Sequence, residues 1–448
     1  MKLDLLGRNR SWLVFTASLL VCFGVWRWAI AILVPSNISF VQANRIPIGI
    51  NSDLYPRWLG AREALLHHRD PYSGEVTREI QLGFYGRQID PNNPSDPKDQ
   101  VAFAYPLYVI FLLAPTVDLP LRAVLTIFRW IGLLSLSVCV PLWMWAVGFR
   151  TRVMFTVAGM VLAVSTSAAI SEYCQQNLAT LVVFMLAAAA AAAVRGWLAL
   201  AGFLLALSTI KPQISALFIF FFMLWAIAHW AKRQLIVWSL LGSLLALVFA
   251  ADRVSPGWIP RFLRAIRAYQ EYAGDPSILQ VLLPAWLARL VAGALVAALV
   301  LCCWRWRKAA AGTEYFGWAL AWVATVTLAV IPKLAAYNQP LLIPALLVLL
   351  KNREAIFKAG VFARALTKGA LACLLWQWGT AIILTFSSLL VGTSRVRIAA
   401  RVPEYTLLAL PPLTLLAVTA ATFSPGGASR RTPSAGSPIP QGLAVRHE

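Results

Sequence analysis

Apolar residues in this chain come in long runs separated by short basic connections, and the short-period alternation of a half-buried strand is absent. A helix needs roughly 20 consecutive apolar residues to cross a bilayer, because lipid offers no partner to a bare N–H or C=O. On that rule the pattern predicts twelve helices, at about 12–34, 121–147, 153–171, 177–194, 197–210, 213–230, 234–252, 280–303, 314–331, 338–351, 368–392 and 404–423. The runs 197–210 and 338–351 are short enough to be half-helices. Two stretches depart from the pattern. Residues 36–100 make a long first loop with eight acidic and seven basic side chains. Residues 101–120 carry Pro106, Pro115, Asp118 and Pro120 around an apolar core of about ten residues, which predicts a re-entrant helix rather than a span.

Composition agrees with an all-α polytopic membrane protein: 60% of the 448 residues are hydrophobic and 13% charged, with mean hydropathy +0.71. Residues 1–423 read as one transmembrane domain, and the Pro-, Ser- and Gly-rich tail 424–448 as a disordered cytoplasmic segment. The apolar run Ser11 to Pro35 is too long for a signal peptide and lacks a small-residue cleavage site, so it reads as a retained first span. Cys22, Cys139, Cys174, Cys302, Cys303 and Cys373 lie in or beside apolar runs without a CxxC pair, which argues against a disulfide framework or a metal site. The net charge of +21 does not point to nucleic acid, because no basic patch interleaved with aromatics occurs and basic loops of membrane proteins face anionic lipid. Placing the N-terminus in the cytoplasm gives the cytoplasmic segments 19 basic and 4 acidic residues, against 20 and 14 elsewhere. That bias supports a multi-pass protein of the cell inner (plasma) membrane.

With that orientation the boundary polar groups gather at the extracytoplasmic face: Asp53, Glu172, Gln175, Gln176, Asn177, Lys211, Gln213, Asp275, Lys333, Tyr337, Asn338, Gln339, Arg395, Arg397 and Arg401. Asp53 precedes "YPRWLGAREALLHHRD" (55–70), whose Trp58, Ala61, Leu65 and Leu66 give the apolar face of a helix lying on the membrane. Asp53 is then either the N-cap of that helix or a group placed to meet a substrate. Lys211, between two apolar runs, needs a carboxylate such as Glu172 or an anionic ligand. The amides of "YCQQN" (173–177) either bridge helices or contact a sugar, and the basic group 395–401 faces either lipid headgroups or a ligand phosphate.

The order of "SDLYPRW", "AREAL", "DPY", "FAYP", "QQN" opening a helix and "GFLLALSTIKP" resembles the polyprenol-phosphate-dependent glycosyltransferases of family 87, within the GT-C membrane superfamily, over roughly residues 10–350. The resemblance implies a GT-C type bundle, a catalytic acid in the first extracytoplasmic loop and a lipid-linked sugar donor, commonly mannose on a polyprenyl phosphate. Asp53 matches the loop aspartate, Tyr72 the loop tyrosine, Tyr105-Pro106 the aromatic-proline turn, Gln175 and Asn177 the amide pair, and Lys211 the helix-breaking lysine. Cys174 stands where the family usually has Gly, and Leu107 where a second Pro is frequent, which leaves the helix packing and the outer turn open.

The chemistry is consistent with those positions. Transfer to an acceptor hydroxyl on a glycolipid or glycan needs a base for the proton, the role of Asp53, and cations for the departing phosphate, the role of Lys211 with Lys333 or Arg395. A carboxylate base acting in a single displacement predicts inversion. No P-loop or GxGxxG fingerprint occurs, and the reaction calls for no metal or cofactor. A lipid or small-molecule transporter or flippase, with alternating access, and a non-catalytic envelope scaffold are the competing readings; a transporter of this size usually carries internal repeats, which the sequence lacks.

Overall fold

The computed structural model describes residues 2–90, 92–93, 96–273 and 276–423. Asp275 and the tail 424–448 lie outside the described residues. Among them the chain is 79% helical and has no strand. The protein is an α-helical membrane protein. Six helices are long and apolar enough to cross a bilayer: Ser11–Ala43, Leu121–Ala146, Trp230–Val254, Ala285–Trp306, Val361–Val391 and Thr393–Phe423. A seventh span results if the pair Val153–Ala163 and Ser167–Gln175, bent by 54°, is counted as one.

The other five predicted spans are shorter apolar helices: Leu178–Val194, Leu198–Ser208, Pro212–Ile227, Glu314–Val330 and Ala336–Lys351. At 1.5 Å per residue, even a 17-residue helix reaches only about 26 Å, less than the roughly 30 Å hydrocarbon layer. They share a reason for being short. Each has one end at Asn177, Ile210 to Pro212, Ile331 to Lys333, or Tyr337, and all of these line a single cavity that takes the place of the missing turns. Glu314–Val330 is buried along almost its whole length. The Ala-rich Leu178–Val194 packs against Leu121–Ala146, where small side chains allow close backbone approach.

Several boundaries differ from the pattern reading, among them the end of the first span and the extent of the helix in the first loop. The first span continues through Pro35 to Ala43 instead of ending near residue 34. Pro35 cannot donate to a carbonyl four residues back, and the π-helical turn Ala29–Leu33 just before it absorbs that defect. The stretch 55–70 is helical only at Tyr55–Leu66, and its apolar side packs on protein. The Trp58 indole donates to the Thr116 carbonyl at 3.1 Å, and a Cβ at Gly60 would stand 2.3 Å from the Phe103 ring. That packing holds 101–120 against the loop. The stretch contains only the five-residue helix Val109–Leu113 and the turn Ala114–Thr116.

Glycine is required at 132. A Cβ there would stand 2.5 Å from Glu172 Oε1 and 2.7 Å from its Cγ, with Glu172 buried and its other oxygen accepting from Thr180 at 2.8 Å. Overpacking of this kind costs about 1–3 kcal/mol, against roughly 1 kcal/mol gained in helix propensity. Gly132→Ala is therefore expected to lower the melting temperature of the purified protein. Adding Gly132→Ala to a Glu172→Ala background should cost nothing further; an equal loss in both backgrounds would remove the contact as the cause.

Candidate functional site

The loop bearing Asp53 is pinned to the break between Ser167–Gln175 and Leu178–Val194. Gln176 turns the chain in the left-handed region, φ 49°, and its side-chain amide donates to the Tyr173 carbonyl. Ser52 Oγ donates to Gln176 Oε1 at 2.7 Å, and the Asp53 N–H donates to the Gln175 carbonyl at 2.8 Å. Loop and helix break are thus held as one unit across 124 positions of sequence.

Asn177 then joins the two charges. As N-cap of Leu178–Val194 its Oδ1 accepts from the Ala179 N–H at 2.9 Å. The same oxygen accepts from Lys211 Nζ at 2.5 Å, while Nδ2 donates to Asp53 Oδ2 at 2.5 Å. This is the amide orientation that satisfies a carboxylate and an ammonium at once. Lys211 is buried, with its ammonium 5.4 Å from the Tyr337 ring centre and 5.9 Å from that of Tyr105. These distances let the rings share in stabilising the charge.

The N-cap alternative for Asp53 is not what the structure contains. Helix Tyr55–Leu66 has Leu54 as N-cap with no side-chain cap, and the carboxylate is turned to Asn177. Nor does Lys211 pair directly with Glu172, whose carboxylate is occupied by Thr180. The amide spanning 53 and 211 displaces both simpler arrangements.

Asp53, Asn177, Lys211, Tyr105, Lys333 and Tyr337 line one cavity of about 560 Å³. Of the other sequence candidates, Tyr72 stands behind the wall: its hydroxyl donates to the Tyr105 carbonyl at 2.7 Å, and burial pushes that phenol above its ordinary range, keeping it a donor. Gln175 contributes its carbonyl to the Asp53 anchor, and its side chain turns to Ser171. Glu172 is buried beside Gly132, outside the cavity lining. Arg395 is exposed on the short helix Thr393–Val396, next to the first span, and does not line the cavity. Arg401 likewise turns to Asn37, donating to its Oδ1 at 2.9 Å.

Several lining groups were missed in the sequence. Arg57 donates to the Asp53 carbonyl at 2.7 Å and lies 4.7 Å over the Tyr105 ring; its i, i+4 spacing from Asp53 was a usable signal. Tyr269 and Gln270 come from Trp258–Ala273, an amphipathic helix that the span count passed over. Its arginines at 261, 264 and 267 recur every three residues, the mark of a helical face. This helix roofs the cavity with Ile266, Tyr269 and Gln270, and is tied to the first loop by Arg261 on Asp70 at 3.1 Å. Burial pushes the Tyr269 phenol up, so it acts as a donor. Asn338 also lines the cavity, and its buried Oδ1 has no hydrogen-bond partner among the described residues.

The wall 99–106 leaves a loop fastened by Arg87 and Asp96. Two hydrogen bonds of 2.5 and 2.9 Å from Arg87, joined by the Asp90 N–H at 2.8 Å, hold the Asp96 carboxyl down to about 2. A lowered carboxyl pKa stabilises the fold above the unfolded value near 3.9 and loses that contribution as pH falls toward 2. Amide exchange across 86–100, corrected for intrinsic rate, is expected to rise between pH 4 and pH 2, and Asp96→Asn to show the faster exchange already at pH 4. A flat profile would show that another contact fastens the loop.

No family model, curated protein or solved structure significantly matches the chain.

Proposed function

We propose that the protein is a membrane-embedded glycosyltransferase that moves a hexose, mannose in the first instance, from a polyprenyl-phosphate donor to an acceptor hydroxyl on a glycolipid or glycan. The observation that carries this reading is the cavity in which Asp53 and Lys211, 158 positions apart, meet through Asn177. Asp53 takes the acceptor proton as the hydroxyl oxygen attacks the anomeric carbon. The bond from that carbon to the phosphate oxygen breaks, and lipid phosphate leaves with its electron pair. Lys211 stands as the cation toward the departing phosphate, with Arg57 and Lys333 on the same wall. Direct displacement predicts inversion.

In this reading residues 1–423 form one GT-C type bundle of about twelve helices, five of them shortened by the cavity. The N-terminus is cytoplasmic and the cavity opens on the extracytoplasmic side of the inner membrane, as the distribution of Lys and Arg implies. Transport is less well supported. The half of the bundle nearer Arg150 is packed with the buried rings of Trp143, Phe218, Phe221, Phe222, Trp225 and Phe316, neighbouring ring centres lying 5.4–6.3 Å apart.

The reading is tested by incubating the purified protein with a panel of polyprenyl-phosphate sugars and acceptor glycolipids and measuring release of free lipid phosphate. Consumption of one donor, with an inverted linkage in the product, is expected. Folded protein that consumes none of them would overturn the assignment.

A further inference from the structure

A second cavity, of about 720 Å³, lies at the opposite end of the bundle from Asp53 and takes no part in the proposed chemistry. It sits where the helices Leu121–Ala146 and Leu178–Val194 end, where Val153–Ala163 begins, and against the connection before Glu314–Val330. Its lining includes two guanidinium groups, Arg150 and Arg195, two hydroxyls, Thr151 and Thr156, and no acidic side chain.

Arginines at helix C-termini often do no more than cap the last carbonyls. Here those carbonyls are already taken. Trp143, Met144 and Trp145 accept from the backbone N–H groups of Val147, Phe149 and Gly148, and Ala191, Ala192 and Ala193 from those of Arg195, Trp197 and Gly196. The carbonyl of Val147 accepts from Lys351 Nζ at 2.7 Å, which brings a third cation to the rim. Neither the Arg150 nor the Arg195 guanidinium has a hydrogen bond or ion pair to the described residues; that of Arg195 lies 4.2 Å over the Trp145 ring, and Arg150 is exposed. Two cations thus stand beside a cavity that also offers two hydroxyls and has apolar walls at Pro141, Met144, Phe149 and Val194.

Two tight turns meet at the cavity wall. Gly148 and Gly312 both turn with positive φ, 63° and 75°, and approach so closely that a Cβ on Gly148 would stand 2.4 Å from the Gly312 carbonyl oxygen. Trp145 and Trp197 are exposed at the same level, 51% and 61%, as indoles are at a membrane–water boundary. A ligand with an anionic head and an apolar body fits charges and walls together.

We propose that this cavity binds the headgroup of an anionic phospholipid, its phosphate between Arg150 and Arg195 and its glycerol and upper acyl chain against Trp145 and Phe149. Each arginine near a lipid phosphate strengthens binding about fivefold. The protein in a neutral detergent is titrated with a phosphatidylglycerol, with a phosphatidylcholine of the same chains and with inorganic phosphate, and bound ligand is counted by native mass spectrometry. One tightly held phosphatidylglycerol is expected, weakened about fivefold by Arg150→Gln or Arg195→Gln and about twenty-five-fold by both. Both side chains are exposed, so the melting temperatures of the lipid-free variants should match that of the parent protein. Equal binding of phosphatidylcholine, undiminished binding in the double variant, or displacement of the lipid by equimolar inorganic phosphate would overturn the proposal; the last would mark a site for the free anion.

Discussion

Asp53→Asn is expected, on the proposed transfer, to lower the turnover of lipid-phosphate sugar by about 10²–10⁴-fold, the range that a positioned general base contributes, and to leave the fold intact. The substitution is chosen so that only the proton-accepting capacity changes. An asparagine amide oxygen still accepts from Asn177 Nδ2, as the carboxylate does at 2.5 Å. The two bonds that fix the backbone, from the Asp53 N–H to Gln175 and from Arg57 to the Asp53 carbonyl, do not involve the side chain. The melting temperature and the affinity for free polyprenyl phosphate should therefore stay near those of the parent. Steady-state release of lipid phosphate separates the outcomes: a fall in kcat with KM little changed is the signature of a lost base, whereas a rise in KM alone would reassign Asp53 to substrate binding. Transfer at the parent rate would remove the residue from the mechanism. Asp53→Glu, which restores a carboxylate displaced by one methylene, should recover part of the rate.

The helical architecture was legible because its signal is strong and local. Each predicted run has a helix or bent pair of helices at its position, since length and apolarity are set by residues next to one another. How many of those helices cross the bilayer unaided was not legible. The shortness of Glu314–Val330 or Pro212–Ile227 becomes meaningful only when the cavity at their ends is known. The site shows the same division. Asp53, Asn177 and Lys211 stood out as polar groups at the edges of apolar runs, and they meet in one cavity. Glu172 stood out by the same criterion, yet it is buried against Thr180 and Gly132, because polarity in an apolar context does not say which side of a helix a residue occupies. Arg395 failed for a related reason: charge near a boundary marks depth in the membrane and says nothing about position around the bundle. Tyr269 and Gln270 went unnoticed because an amphipathic helix in a polar connection carries no long apolar run.

Lys211→Met tests the other half of the site, and its expected effect is about 10²–10³ in kcat/KM, the loss seen when one preorganised donor to a developing anion is removed. Lys211 is buried and rests its ammonium between Asn177 Oδ1 and the rings of Tyr105 and Tyr337. Methionine keeps much of the aliphatic stem and its packing while deleting the charge. Asn177 Oδ1 retains the Ala179 N–H at 2.9 Å, so the cap and the contact to Asp53 survive. Holding an ammonium with few partners away from water is costly, and an apolar replacement is neutral or stabilising where the charge served no structural end. The melting temperature should hold or rise as transfer falls. A sharp drop in melting temperature with transfer little changed would make Lys211 a structural cation. Lys211→Arg should recover part of the activity, because it restores the charge in a wider and planar form that the two rings confine. Combining Lys211→Met with Asp53→Asn should cost much less than the product of the two separate losses if carboxylate and ammonium act in one transition state through Asn177. Fully multiplicative losses would mean that the two residues, though joined in the free protein, serve separate steps.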